Sequence, residues 1–162
     1  MLETEGTVNR FLVGYCKTLS GDLDDARLAE QPLPGVNHPA WILGHLTFVA
    51  HRGISVITGG EMALPASWNT QFGPGSKLTT NRSDYPTKAE LLLAVEESHG
   101  SFQRSVEGAT FEQLSQPSVH PRTKDSLPQL KDLLAFILTA HMGVHLGQLT
   151  TWRRMIGLPA LF

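Results

Sequence analysis

From Leu130 to Trp152 the chain carries one long apolar stripe at helical spacing. Leu130, Leu134, Ile137, Leu138, His141, His145, Gln148, Leu149 and Trp152 recur at steps of three, four and seven. Such a stripe demands a long helix with one face packed against other helices, and it places two imidazoles on that inward face. His141 and His145, four apart, stack about 6 Å from one another and are able to point at one ion. An unpaired buried polar group costs about 1–3 kcal/mol, so each ring needs a partner, and one shared cation serves both. Spacing alone leaves a second reading open, in which both are core histidines held by backbone carbonyls.

The rest of the chain supplies the helices against which this one packs. Thr4 to Leu19 reads as a first helix with Val8, Phe11, Leu12, Tyr15 and Leu19 on one face. Cys16 lies at its edge with no basic neighbour to lower its pKa, as a small core hydrophobe does. Gly21 to Gly35 is polar and turn-rich. A second helix begins near Asn37, read as its cap, with Pro39 in the first turn, and stops at Gly59-Gly60. Trp41, Ile42, His45, Val49 and Arg52 share one face, so His45 is buried. His38 lies seven positions earlier, about 10 Å along the axis, too far to share an ion with His45. His38 is therefore a helix-start residue, and His51, on another face, is solvated.

Positions 59 to 86 have no period, and a loop of that length in a compact domain usually covers something. Trp68 and Phe72 are its anchors, either capping the core or walling a pocket. Thr87 and Glu90 form a capping box that opens a third helix. Leu91, Leu92, Val95, Phe102 and Val106 give its inner stripe, with His99 facing away, and Gly108 ends it. Thr110 to Leu114 is a single helical turn, and Gln116 to Asp125 is loop. The fourth helix starts at Ser126-Leu127-Pro128 and is terminated by Gly157 and Pro159. No strand-like alternation or repeat appears. The expectation is an all-α single domain over residues 1–162, an antiparallel four-helix bundle with a long loop between helices 2 and 3.

Charge excludes one large class of function. Thirteen Lys and Arg against fifteen Asp and Glu give a net charge of −2, and no basic cluster is denser than Arg153-Arg154, so a nucleic-acid footprint is absent. No run reads as a membrane span and the first residues have no apolar signal core. One cysteine forms no internal disulfide. The expectation is a cytoplasmic protein without membrane or nucleic-acid partners.

Across the bundle, His45 and the pair His141 and His145 are positioned to converge as a three-imidazole site. Three neutral nitrogens suit zinc, nickel, iron(II) or copper and do not suit magnesium or calcium. Three protein ligands leave a position open for water or substrate, the mark of a catalytic metal. With no anionic ligand the ion keeps its full charge and favours anionic partners. Gln148, a turn after His145, is either an outer hydrogen-bond partner of the site or an inter-helix contact. Gly44 and Gly147 flank proposed ligands and read as close-packing positions. Met142 stands where a zinc protease of the HExxH type needs its glutamate, which excludes that chemistry. Glu61, Asp84 and Glu90 are the nearest acidic candidates on or beside the loops, and nothing in the sequence places them at the site.

HPAWILGHL at 38–46 and HMGVHLGQLTTWRRMIGLP at 141–159 resemble the two signature segments of the DinB-like family, also called DinB/YfiT-like metalloenzymes. The resemblance spans nearly the whole chain, with W-x-x-x-H-L in helix two and H-x-x-x-H-x-G-Q late in helix four. It implies a four-helix bundle with a divalent ion, zinc or nickel before iron, held by His45, His141 and His145, and a homodimer. It also implies a small-molecule substrate, with a low-molecular-weight thiol as cosubstrate in those relatives that carry out S-transfer. The leading reading is a metal-dependent thiol S-transferase. Beside it stand a metal-dependent hydrolase, a non-catalytic metal-binding stress-response protein, and a bundle with no metal at all.

Overall fold

The structure, a computed structural model, describes residues 1–161. It is built from α1 (Glu3–Gly21), α2 (Pro39–Thr58), the short α3 (Ser67–Phe72), α4 (Lys88–Gly108), the single-turn α5 (Phe111–Leu114) and α6, which runs Leu130–Met155. Among the described residues there is no strand, and one isolated bridge pairs Pro117 with Gln129. The architecture is the expected four-helix bundle of α1, α2, α4 and α6. α2 packs most extensively on α4, and α1 packs on both α4 and α6.

Local chemistry explains the helix ends. His38, and not the expected Asn37, caps α2: its Nδ1 accepts the Trp41 N–H at 3.2 Å, with Pro39 following. Gly59 closes the same helix at φ +70, a left-handed position that favours glycine. The Thr87 and Glu90 capping box forms as expected. α6 starts four residues after the expected Ser126. Leu127 precedes a proline and is steered away from helical backbone. The bonds Ser118 N–H to Pro128 O and Leu130 N–H to Gln116 O, both 2.8 Å, then keep residues up to Gln129 paired with the preceding loop.

Two inward faces differ from the apolar pattern for one shared reason. On α1, Val8 and Phe11 are 38% and 59% exposed, while Asn9, Cys16 and Leu19 are buried. On α4, His99 is buried rather than facing away, in register with Leu91, Val95, Phe102 and Val106. Asn9 and His99 meet inside the bundle at 3.2 Å. Asn9 Nδ2 donates to the Leu138 carbonyl at 2.7 Å and its Oδ1 accepts from Gln103 at 2.8 Å. Buried hydrogen bonds of this kind hold polar side chains inward where hydrophobicity patterning expects apolar ones, although His99 Nε2 itself has no hydrogen-bond partner among the described residues.

α2 and α6 are in fact long and apolar enough, by length and composition, to cross a membrane, which corrects the reading that no run reaches that mark. Their apolar residues supply the bundle core, including Leu43, Leu46, Leu134, Leu138, Leu149 and Trp152. Of the Arg153-Arg154 pair, Arg153 is 1% exposed, bonded to the Leu19 carbonyl at 2.8 Å and paired with Asp22. It therefore anchors the end of α6 to the end of α1. Burial pushes the Cys16 thiol up to about 12, as an inert core residue requires.

Candidate metal centre

The three histidines expected to converge do so. Ring nitrogens of His45, His141 and His145, one from each, all lie within 4.8 Å of one another. α2 delivers His45 and α6 delivers the other two. The α6 backbone is not plain α-helix there: Ile137–His141 is a π turn between α segments Leu130–Phe136 and Met142–Met155. A π turn bonds i to i+5 and leaves a carbonyl in need of a donor, and such turns recur at functional sites. Asn9 supplies a donor to Leu138 O within this turn.

Hydrogen bonding fixes which nitrogen is available in two of the three rings, His45 and His145. Phe72 O can only accept, so His45 Nδ1 carries its proton and donates to it at 2.7 Å. His145 Nδ1 donates likewise to Gln148 Oε1 at 3.0 Å, and Asn37 Nδ2 donates to the same oxygen at 3.1 Å. A neutral ring protonated at Nδ1 has its lone pair on Nε2. His45 Nε2 faces His141 Nε2 at 3.3 Å. Two nitrogens sharing one tetrahedral ion about 2.1 Å from each are about 3.4 Å apart, so the donor set and its spacing fit a late first-row divalent ion. Trp41 stacks on His45 with ring centroids 4.5 Å apart and planes 11° from parallel, which restricts the ring further.

Electrostatics keep these rings neutral, the form that ligates. His141 is pushed down to about 3, first by burial and then by the adjacent His145 and His45. His145 is pushed down to about 4 by burial and by His45, with the Gln148 bond opposing. Burial lowers His45 as well, opposed by the Phe72 carbonyl. Away from the cluster, burial lowers His38 and His99 each to about 4 from an ordinary 6.5.

The two outlying histidines set a pH dependence of stability that needs no metal. The unfolded chain takes up their protons near pH 6.5 and the folded chain near 4. Stability is therefore full above pH 6.5 and is lost as pH falls toward 4, each fully displaced imidazole removing up to about 1.4 kcal/mol per pH unit. Urea unfolding of chelator-treated protein is expected to show midpoints that fall from pH 7 to pH 5, and less steeply in His99→Gln. A midpoint constant over that range contradicts the burial assigned to these rings.

The connection from 59 to 87 covers the site, as its length suggested. Phe72 is fully buried, with Trp68 against it at 4.7 Å between ring centroids. Its ring occupies the space that a side chain at Gly44 would fill: a Cβ there meets ring carbons at 2.1–2.5 Å. Gly44 thus admits the residue whose carbonyl orients His45. Gly147, by contrast, has nothing within 4 Å of a built Cβ and is exposed, which corrects its reading as a close-packing position.

His45 and His141 form part of the wall of a cavity of about 560 Å³. Val49, Arg52, Val56, Phe136 and Ile137 extend that wall along α2 and α6, and Asn69, Pro74 and Gly75 close it from the connection after α2. The loop before α6 contributes His120 and Arg122, residues the sequence placed in a loop without a role. Glu61, Asp84 and Glu90 do not line the cavity, and among the described residues no carboxylate does.

Fold and site together define a helical bundle with a buried three-histidine cluster opening on a ligand-sized cavity. Residues 17–149 match the model of the DinB superfamily, and the chain belongs to that superfamily. No functionally curated protein matches it. Among solved structures it is similar to YfiT from Bacillus subtilis, described as a probable metal-dependent hydrolase with an unusual four-helix bundle topology. The two share 17% identity over 97% of this chain and 88% of that one, with a TM-score of 0.67, a likeness of fold.

Proposed function

We propose that this protein is a divalent-metal-dependent enzyme in which His45, His141 and His145 hold the ion and the adjoining cavity holds an electrophilic small molecule. One observation carries this reading: three ring nitrogens lie within 4.8 Å of one another, two of the rings, His45 and His141, form part of the wall of a cavity of about 560 Å³, and the Nδ1 protons of His45 and His145 are already committed to Phe72 O and Gln148 Oε1. A divalent ion there supplies Lewis acidity, lowering the pKa of a coordinated thiol or water. The protein's own part is to orient the three rings, keep them neutral and bury the reacting centre under Trp41 and the connection that carries Phe72.

Thiol S-transfer is favoured over hydrolysis by the composition of the wall. A coordinated thiol, more acidic than water at the outset, would lose its proton to solvent, whereas hydrolysis usually also uses a base to take a proton from the attacking water, and among the described residues no Asp or Glu lines the cavity. Hydrolysis remains the second reading, supported by the description of YfiT as a probable metal-dependent hydrolase and by His120 in the wall. Zinc- or nickel-loaded protein is expected to conjugate a low-molecular-weight thiol to an aryl or alkyl halide. That rate should fall to background with chelator or in His145→Ala. Ester hydrolysis without any thiol conjugation selects the second reading, and neither activity over a broad electrophile panel leaves a metal-binding protein without catalysis.

A further inference from the structure

We infer that the cavity beside the three histidines takes small organic anions with an apolar body, and that Arg52 and Arg122 read the anionic group. The inference deepens the proposed function by naming its substrate class. It rests on that reading only for what happens to the molecule once bound.

Arg52 and Arg122 both line the cavity, one from α2 and one from the loop before α6. Neither guanidinium has a hydrogen bond or ion pair among the described residues, whereas Arg27, Arg82 and Arg153 are each paired with a carboxylate. The chain as a whole has more acidic than basic residues, 15 against 13, yet among the described residues the wall carries two cations and no carboxylate. A planar guanidinium with free donors matches a carboxylate or phosphate in a two-point contact, which a hydroxyl cannot reproduce.

Position adds a second constraint. Arg52 follows His45 by seven residues on the same face of α2, about 10 Å along the helix axis, with Val49 between them. Phe48, Val56, Leu133, Phe136 and Ile137 line the rest of that path. A ligand spanning from the arginines to the histidines is therefore anionic at one end, apolar along its body, and presents its reacting atom at the other. The pattern of a mostly apolar cavity with a few placed polar groups is that of a small-molecule site.

Equilibrium binding to matched probes tests the inference, using phenylbutyrate, phenylbutyl phosphate and the neutral phenylbutanol. Each is titrated into metal-loaded and into chelator-stripped protein, with wild type and the Arg52→Gln/Arg122→Gln double variant. Both arginines are exposed, and the variant's helical content serves as the folding control. In stripped wild type the anions are expected to bind about tenfold or more tightly than the alcohol. The double variant should lose that preference while its affinity for the alcohol stays within about twofold. Carboxylate and phosphate arms then rank the two oxyanion types. Equal binding of anion and alcohol, or a preference that survives the double substitution, overturns the inference. An anion preference present only in metal-loaded protein assigns the anion to the ion and overturns it equally. Because the deciding arm contains no metal, failure of the metal reading leaves its result intact.

Discussion

His141→Ala is expected to abolish stoichiometric binding of zinc or nickel at micromolar concentrations while leaving the far-UV helical signal in place. His141 sits at the junction of the π turn with the last α segment, and its Nε2 lies 3.3 Å from that of His45. Alanine removes one of three donors, and among the described residues no carboxylate lines the cavity to replace it. Gln148→Met provides the scale for comparison. It keeps all three rings but deprives His145 Nδ1 of its acceptor, and loss of an outer partner of this kind costs about 10–100-fold in metal affinity. Competition titrations with a chromophoric chelator measure both variants. Retention of wild-type affinity in His141→Ala removes that residue from the ligand set.

The second large effect comes from a residue with no functional group. A methyl group at position 44 meets the Phe72 ring at 2.1–2.5 Å, and that ring is fully buried, so the connection carrying it must shift. Overpacking of this kind costs about 1–3 kcal/mol. The shift also carries away the Phe72 carbonyl that fixes the His45 ring, so Gly44→Ala is expected to lose metal affinity by about 10–100-fold as well. Gly147→Ala is the control: open space surrounds it, and relief of the glycine penalty in a helix favours folding by up to about 1 kcal/mol. Urea midpoints and metal titrations of the two variants should therefore move in opposite directions for stability, and for the metal only at position 44. Equal behaviour of the two glycines contradicts the role given to Phe72.

What the sequence disclosed follows from what periodicity encodes. The stripe from Leu130 to Trp152 and the face shared by Trp41 and His45 report burial directly, so the four-helix architecture and the three converging histidines were legible. The Thr87 capping box was equally plain, because it depends on residues three apart. Periodicity is silent about polar residues buried for their hydrogen bonds. His99 was therefore assigned an outward position, although it falls four after Val95 and three before Phe102 on the very stripe used to orient α4, and Asn9 was not among the residues of the α1 stripe. The π turn was also hidden, since its side chains keep an apolar pattern compatible with plain helix. Arg52, His120 and Arg122 acquire meaning only when loops close around the cavity, a relation between segments about 70 residues apart.

The shared site of His45, His141 and His145 is tested most directly by the metal itself. X-ray absorption on untagged protein carrying its copurified ion reports both how many equivalents are bound and which atoms surround it. The structure predicts about one equivalent of a late first-row divalent ion with three imidazole nitrogens at about 2.0–2.1 Å. Protein that folds, takes up no divalent ion when offered zinc and nickel, and keeps an unchanged melting temperature in chelator contradicts the account.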